Sequence, residues 1–387
     1  MNRLTVNVLR VSVPLIALLG GATVALFGTS PTSPIAHAQM DDTPNEMIVV
    51  SKPPPPVVAS DPPQGMIFTL TPDMSASSVA FDTLENEASG GAPNASRPQS
   101  LEYLRLDSGG NAYITFDDGP TEAAPGGVMV IEDFLNRSSF DPARDHLITG
   151  NATGLVEPKD LVVESDLGVI IVADFAEANV AVFKLSASGN AAPRSLTSLG
   201  ETQAGEPRRP WGLAFDTDAD RLFVGSTDGT VLVFDDYLSS EGGRSPDRVI
   251  TPTLKGERAS ANTHDLVYLA DEDLLIATDV GSATTADQPG FDTDGKVFLI
   301  ENASAAQGDT EVKAQLAGPS TMLGNPVGAA FDGSHLFITE KTKDTVLRFD
   351  DVLSLSGAVD VAPTGAVTVA KPEAVALVAK EMQRGLR

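Results

Sequence analysis

Charged and aromatic side chains gather at two adjacent positions of a segment that recurs along this chain, where they could form a ligand pocket or a metal centre. The segment reads Pro or Thr, one variable residue, a small or acidic residue, and then alternating apolar residues. These positions supply the candidate ligand-binding residues Lys159, Asp160, Trp211, His264, Asp265 and Glu373. Polar groups of both signs beside an aromatic ring are typical of small-ligand sites. Carboxylate oxygens also suit Ca²⁺ or Mg²⁺, so either ion is a candidate cofactor.

A purely structural role would explain the same residues. Asp160 and Asp265 could each cap the turn on which they lie, and His264 could be a solvated side chain. His146 and His335 begin other strands, so the pattern does not favour a His-rich metal site. The chain has no nucleophile elbow, P-loop or dinucleotide fingerprint, and no residue is assigned a catalytic role. Both interpretations of the six candidates therefore stay open.

Six copies of the segment, spaced 46 to 63 residues apart, predict the elements that carry the candidates. Self-similarity at such a period indicates stacked supersecondary units. After each complete copy, three more short runs rich in β-branched residues follow, separated by Gly, Asp and Pro, which predicts four antiparallel strands per unit. The copies are RPQSLEYL from Arg97, EPKDLVV from Glu157, RPWGLAF from Arg209, NTHDLVYL from Asn262, NPVGAAF from Asn325 and KPEAVAL from Lys371. On this alignment Gln99 and Ser100 occupy the variable positions of the first copy.

The sixth unit is split between the two ends of the sequence. KPEAVAL supplies its first strand, and the other three match runs that begin at Glu46, Gly65 and Ser77. Joining them would close a ring that leaves only short, protected sheet edges. We therefore predict an all-β fold, a six-bladed β-propeller of four-stranded antiparallel blades over residues 45–387, closed by one C-terminal strand plus three N-terminal strands.

The first 38 residues predict an export signal. Arg3 and Arg10 precede a largely apolar run over 11–27, and Ala36-His37-Ala38 has the form of a signal-peptidase site. We expect cleavage after residue 38, a short disordered segment over 39–44, and a secreted or periplasmic protein of a bacterium. The alternative is an uncleaved signal anchor. The chain has no Cys, so the exported fold does not depend on disulfides.

The charge balance narrows the partners. The chain carries a formal net charge of −27, and loss of the two Arg in the predicted signal leaves −29. Such a surface repels nucleic acid and anionic membrane, so neither is expected as a partner. Solubility would account for the acids, and cation binding by acidic turns such as 216–220 is the alternative, although those turns lack the Glu that completes a Ca²⁺ loop.

A second acidic element recurs at the ends of third strands. It reads IEDFL from Ile131, FDDYL from Phe234 and FDDVL from Phe349. Acidic residues after a strand start turns, and the apolar pair that follows can pack back on the blade. Because the element repeats, we predict an architectural role.

The stretch from Ile148 to Leu196 resembles the NHL-type propeller repeat of secreted and envelope bacterial proteins, and the likeness extends over residues 45–380. The matching positions are Gly150, Thr153, Gly154, Leu155, Pro158, Asp174, Val180, Val182, Phe183, Pro193 and Arg194. The resemblance implies the propeller fold, but that superfamily includes lactonases, lyases, ligand binders and interaction platforms. Propeller lactonases hold Ca²⁺ with a Glu, two Asn and an Asp, which Glu373, Asn262, Asn325 and Asp265 match in part. Streptogramin-type lyases use a His and a Glu with Mg²⁺, and His264 and Glu373 could take those roles.

The function predicted from these observations is an extracytoplasmic binding or protein-interaction module that acts as a monomer. Variable loops on a rigid ring are common sites of recognition, and the chain provides them at 117–126, 201–208 and 280–295. The partner would be a protein or a small molecule. The alternative is a divalent-metal-dependent lactonase, hydrolase or lyase with its site on the channel rim.

Overall fold

The computed structural model describes residues 46–51, 66–71, 73–74, 77–82, 100–117, 125–240, 245–282 and 287–378. All of them belong to one compact unit, Met40–Arg387. The predicted signal peptide, the segment 39–44 and the exact ends of the propeller lie outside the described residues. Across the described ranges, the structure contains no helix with the length and apolar character needed to span a bilayer.

Strands numbered along the chain form six antiparallel sheets, each with an innermost and an outer edge. The first two complete blades contain β4 (Leu101–Leu106), β5 (Ala112–Phe116), β6 (Gly127–Ile131) and β7 (His146–Thr149), then β8 (Pro158–Glu164), β9 (Val169–Asp174), β10 (Asn179–Lys184) and β11 (Ser195–Ser198). The third blade contains β12 (Pro210–Asp216), β13 (Arg221–Ser226), β14 (Val231–Phe234) and β15 (Arg248–Leu254), with β16 (Glu257–Arg258) at its edge.

The remaining blades follow the same order. The fourth contains β17 (Thr263–Leu269), β18 (Leu274–Asp279), β19 (Lys296–Glu301) and β21 (Ala314–Leu316), and the fifth contains β22 (Pro326–Phe331), β23 (His335–Glu340), β24 (Thr345–Asp350) and β26 (Gly365–Thr368). The closing blade is β27 (Pro372–Val378), β1 (Glu46–Ser51), β2 (Met66–Leu70) and β3 (Ser77–Asp82). Two extra strands, β20 (Gly308–Glu311) and β25 (Gly357–Val359), join the sheets of preceding blades.

The ring closes as predicted from the sequence. Strand β1 lies between β2 and β27, so that Ile48 pairs with Thr69 on one side and with Ala376 on the other. Strand β27 in turn contacts the innermost strands β4 and β22 of its neighbours. The six-bladed propeller with one C-terminal and three N-terminal strands in the closing blade is confirmed.

The core consists of apolar layers between blades. Both faces of a blade pack on neighbours, so central strands such as Val169–Asp174 are buried at every position. At the junction of the second and third blades, for example, Ile171 and Val182 share a cluster with Leu222 and Phe234. Burial of a large apolar side chain contributes about 1.5–3 kcal/mol. The strength of these layers explains how the ring holds its inner strands in a fixed position without disulfides.

Acidic residues at the ends of second strands fix the starting points of innermost strands. Asp174, Asp279 and Glu340 are buried, and each accepts hydrogen bonds of 2.7–3.1 Å from the two backbone N–H groups that precede the innermost strand of its own blade. Burial raises the pKa of all three carboxyls, and these hydrogen bonds oppose that rise. Part of the negative charge of the chain is therefore structural.

The acidic turns predicted from the IEDFL, FDDYL and FDDVL segments are confirmed. The second acid of each segment has a left-handed backbone, with φ of 55° at Asp133, 50° at Asp236 and 55° at Asp351. The apolar residue that follows is buried in each case, as Phe134, Tyr237 and Val352. In two of the turns it begins a short 3₁₀ helix, Phe134–Asn136 or Val352–Ser354, and a third such helix spans Pro319–Thr321. These acids therefore serve the architecture.

Outer edges of three blades are covered by the following blade. Strand β20 of the fourth blade runs parallel to β15, and β25 of the fifth runs parallel to β21. In the same way Gly189 of the second blade pairs with Ile148 of the first. In each case the cover comes from the connection between the third and fourth strands of the next blade. Exposed strand edges favour intermolecular pairing, so these covers protect the ring.

The first copy of the repeat lies in a different register from the one predicted. Leu101 pairs with Phe116 and Leu104 with Ile114 across a bulge, as Pro158 and Leu161 pair with Asp174 and Val172 in the second blade. The variable pair of the first blade is therefore Glu102 and Tyr103, and the assignment of Gln99 and Ser100 was wrong. The Pro at position 98 resembled the other motif prolines, but strand pairing determines the register.

Candidate functional site

The variable positions of the six innermost strands form two successive rings of side chains across the channel. The first, here called the entry ring, consists of Glu102, Lys159, Trp211, His264, Val327 and Glu373. The second, here called the central ring, consists of Tyr103, Asp160, Gly212, Asp265, Gly328 and Ala374. Apart from the partly exposed Trp211, all members of the two rings are buried. The six predicted site residues thus lie on two levels, with Asp160 and Asp265 below the other four.

Lys159 is held by carboxylates of two blades. Its Nζ lies 3.1 Å from Glu102, 2.8 Å from Asp117 and 2.9 Å from Glu157. Burial disfavours the ammonium form, but the three negative charges outweigh burial and raise the pKa of Lys159 above its ordinary value. The ammonium group therefore occupies the centre of a set of carboxylates that would otherwise suit a cation, and it stays charged.

Trp211 connects Lys159 to His264. The Lys159 ammonium lies 5.0 Å from the centre of the indole ring, and the His264 imidazole stacks on the indole with centroids 4.0 Å apart and an angle of 13°. Phe175 meets the indole edge-on at 5.6 Å. Cation–π and stacked contacts of this kind each contribute of the order of 1 kcal/mol. These contacts join three consecutive blades at the entry ring.

His264 stays neutral at this position. Burial and the charges of Lys341 and Lys159 lower the pKa of its imidazole well below the usual 6.5. Its Nδ1 atom is buried and has no hydrogen-bond partner among the described residues. Glu373, the proposed partner of His264 in a lyase-type site, instead forms an ion pair with Lys341. His264 and Glu373 are therefore engaged with different neighbours.

In the central ring, each Asp links its own blade to the next. Asp160 accepts a 2.6 Å hydrogen bond from the N–H of Leu161 and a 2.7 Å bond from the N–H of Leu213 in the third blade. Asp265 likewise accepts 2.8 Å and 2.6 Å bonds from the N–H groups of Leu266 and Ala329, the latter in the fifth blade. The expectation that each Asp caps only its own turn is thus incomplete.

Two glycines of the central ring let neighbouring innermost strands approach each other closely. The N–H groups that reach across belong to the residues after Gly212 and Gly328. A Cβ at Gly212 would lie 2.1 Å from the carbonyl oxygen of His264, and one at Gly328 would lie 2.6 Å from that of Glu373. Because only glycine permits such close approaches, Gly212 lets the third blade lie against the fourth, and Gly328 lets the fifth lie against the closing blade.

Arg105 joins the two acids of the central ring. Its Nη2 atom lies 3.4 Å from Asp160 and 3.7 Å from Asp265, and the hydroxyl of Tyr103 donates to Asp265. Burial raises the pKa of Asp160 to about 7, although Arg105 opposes the rise, and burial raises the pKa of Asp265 as well. The guanidinium and the two acids fill the middle of the channel.

The structure brings together residues that the sequence did not single out. Glu102, Tyr103 and Arg105 lie on β4, whose register was misassigned, and Lys341 follows the second strand of the fifth blade. The alternation in LEYLRL, which matches PKDLVVE, was the available signal for the first three. For Lys341 the sequence carried no signal, because its partner Glu373 lies in another blade.

Within the described part of the chain, no three His, Asp or Glu side chains meet in an arrangement that could hold a metal ion. Asp265 of the partial lactonase-like set lies in the central ring against Arg105 and Tyr103, while Glu373 pairs with Lys341. Asn325 donates its backbone N–H to Glu340. The residues present therefore do not form the Ca²⁺ ligand set that the resemblance suggested, and binding of Ca²⁺ or Mg²⁺ stays a prediction.

Comparisons with known proteins support the fold. No family model matches the chain, and no curated protein matches it. Among solved structures, it is similar to a chain of a nidogen/laminin complex, with 13% identity over 85% of this chain and 97% of that one and a TM-score of 0.53. It is also similar to a putative 6-phosphogluconolactonase of Bacteroides fragilis, with 12% identity over 87% of this chain and 98% of that one and a TM-score of 0.51. A putative 6-phosphogluconolactonase of Bacteroides uniformis shows 12% identity over 87% of this chain and 100% of that one, with a TM-score of 0.52. At such identities the likeness shows the β-propeller fold alone.

Proposed function

We propose that the chain is an exported, acidic β-propeller of the NHL type that serves as a non-catalytic binding and protein-interaction module outside the cytoplasm. The observation that carries the proposal is the state of the charged groups in the channel. Lys159, Arg105 and Lys341 engage the carboxylates that a metal-dependent hydrolase would need as ligands or as acid and base. The channel residues therefore work as blade-to-blade links, and recognition falls to the loops.

One loop is particularly suited to recognition. Residues 200–208, between the second and third blades, form a hairpin. The N–H of Thr202 donates to the carbonyl oxygen of Glu206 at 2.7 Å, and the N–H of Arg208 donates to that of Gly200 at 2.9 Å. Most of its side chains are exposed. A loop that is ordered before binding loses less entropy when a partner docks. We assign the hairpin as part of the surface that contacts the partner.

The first experiment separates a binding module from a metal-dependent enzyme. Thermal unfolding of the purified protein is followed during Ca²⁺ and Mg²⁺ titration, beside the variants Glu373→Gln and Glu177→Gln, the second being an exposed control. Equal shifts in all three proteins, and no turnover of five- and six-membered lactones, are expected. A saturable stabilisation by metal that only Glu373→Gln abolishes, or metal-dependent lactone hydrolysis, would establish the enzyme alternative.

The second experiment tests the interaction surface. The wild-type protein and a variant that lacks residues 202–206 are used as baits on envelope and culture-medium fractions of the native host. A partner that is retained by the wild type and lost from the variant, at unchanged melting temperature, supports the proposal. Identical capture by both baits would contradict the role of the hairpin.

A further inference from the structure

At the end of the channel opposite the entry ring, most of the lining residues have apolar side chains. A cavity of about 310 Å³ lies there, at the small end of the ~300–1,000 Å³ range of small-molecule sites. All six blades contribute to its wall through the second halves of their innermost strands. Side chains that line it include Val162, Phe215, Val267, Phe331 and Leu377. We call this cavity the funnel.

Among the described residues that line the funnel, Arg105 provides the one charged side chain. Its side chain is 24% exposed, and its guanidinium carbon lies 4.3 Å from the centre of the Tyr103 ring. Its Nη2 atom lies 3.4 Å from Asp160 and 3.7 Å from Asp265. Charge-assisted hydrogen bonds are ordinarily ~2.7–2.9 Å, and a guanidinium has five N–H donors. Arg105 therefore keeps hydrogen-bonding capacity for a ligand at the floor of the funnel.

We propose that the funnel binds a small amphipathic carboxylate, whose carboxyl group meets Arg105 and whose apolar tail of about eight carbons lies against the side chains of the six blades. The planar guanidinium matches the two oxygens of a carboxylate and favours it over a hydroxyl or an amine. The apolar wall contributes roughly 0.8 kcal/mol for each CH₂ group that it buries. This site is independent of the partner-binding hairpin, which lies at the entry side of the ring.

The charges around Arg105 permit an anionic ligand. If both Asp160 and Asp265 were ionised, their two negative charges would exceed the single positive charge of the Arg105 guanidinium. The other titratable group that faces the two acids is Tyr103. Because burial raises the pKa of Asp160 to about 7, one proton is bound near neutral pH and leaves a balanced cluster. A simple carboxylic acid has a pKa of about 4.3 and stays ionised at pH 6. Affinity for the carboxylate is therefore expected to rise from pH 8 to pH 6.

The test uses octanoate as the probe and isothermal titration calorimetry as the measurement. Octanol and octylamine serve as head-group controls with the same chain length. The variants Val162→Phe and Val267→Phe narrow the funnel without removing a charge, and Val361→Phe is the matched control on an exposed loop residue, 41% accessible. Melting temperatures of all variants verify that each protein is folded. Two independent funnel variants are used so that the test can still be made if one of them does not fold.

Octanoate is expected to bind at micromolar to millimolar concentration, at least tenfold more tightly than octanol or octylamine. Either funnel variant should weaken octanoate at least tenfold, while Val361→Phe leaves it unchanged, and the dissociation constant should fall severalfold from pH 8 to pH 6. The proposal is overturned if octanoate does not bind, if octanol or octylamine binds as well as octanoate, or if folded funnel variants bind like the wild type. A dissociation constant that rises toward pH 6 would also contradict it.

Discussion

The carboxylate of Asp265 in the fourth blade accepts the backbone N–H of Ala329 in the fifth blade at 2.6 Å. The same arrangement joins Asp160 in the second blade to the N–H of Leu213 in the third, at 2.7 Å. Two blade junctions are thus joined at the channel by a side chain whose partner is the main chain of its neighbour. The stability of the ring should depend on these acids more than on acids at the surface.

The first prediction concerns that link. Asp265→Ala leaves the Tyr103 hydroxyl and the Ala329 N–H without their buried acceptor and removes one of the two acids beside Arg105, so it should lower the free energy of unfolding by about 3–5 kcal/mol, the usual cost of breaking a buried ion pair. Urea unfolding measures it. The exposed Asp218→Ala is the control and should change stability by less than about 0.5 kcal/mol. Equal losses in the two variants would show that the link has no special role.

The second prediction concerns Lys159. Replacing it by Met leaves the buried Glu102 and Asp117 facing each other without a cation, so Lys159→Met should cost about 3–5 kcal/mol. In the background of Glu102→Gln the same replacement should cost less, because one of the negative charges is then absent. A double-mutant cycle by urea unfolding measures the coupling, expected at roughly 1–3 kcal/mol. A coupling near zero would contradict the contact.

The third prediction is a pH dependence of stability that comes from Asp160. Its pKa is about 7 in the folded protein and 3.8 as an ordinary value, so the native state binds more protons between these limits. The stabilisation that comes from protonated Asp160 in the folded protein is complete below pH 3.8 and is lost as the pH rises through 7. Because Asp160→Asn removes this titration, the unfolding free energy of the wild type relative to that of the variant should fall by roughly 2 kcal/mol between pH 5 and pH 7. Parallel curves for the two proteins would refute the raised pKa.

The fourth prediction uses the single Trp of the chain as a probe. The pKa of His264 is lowered well below 6.5 by burial first, so the imidazole that stacks on Trp211 should stay neutral and the fluorescence emission should be flat from pH 8 down to pH 5.5. His264→Ala should alter the emission and cost about 0.5–1.5 kcal/mol. His146→Ala, which lies at the start of β7, is the control. An inflection near pH 6.5 in the wild type would contradict the buried, neutral imidazole.

Local patterns in the sequence were sufficient to predict the six-bladed architecture. Alternating apolar runs and turn residues repeat in every blade, and the split between KPEAVAL and the N-terminal strands follows from counting those runs. The acidic turns were also recognisable, because Asp133, Asp236 and Asp351 occur at the same place in the first, third and fifth blades. Each of these patterns lies within a few consecutive residues, so it can be recognised without the tertiary structure.

The contacts of the candidate site could not be predicted in the same way. Arg105 meets Asp160 and Asp265 across the channel, so that residues 55 and 160 positions apart become neighbours only when the ring closes. A three-residue difference in register, which Pro98 concealed, also moved Glu102 and Tyr103 into the places first given to Gln99 and Ser100. The six candidate side chains were expected around one rim, and their positions on two levels and their partners depend on tertiary closure.

The covered outer edges have a consequence for how such a protein can be shortened, lengthened or cut. Strand β20 belongs to the fourth blade and covers β15 of the third, and β25 belongs to the fifth blade and covers β21 of the fourth. The modular unit of the ring therefore extends beyond a single sheet. Excision of the fourth or fifth blade would remove a neighbour's shield along with the blade itself. Permuted chains that begin between β19 and β21 would face the same difficulty. Breakpoints in the loops that precede innermost strands keep each shield attached to its own blade, and are the sites where engineered rearrangement should succeed.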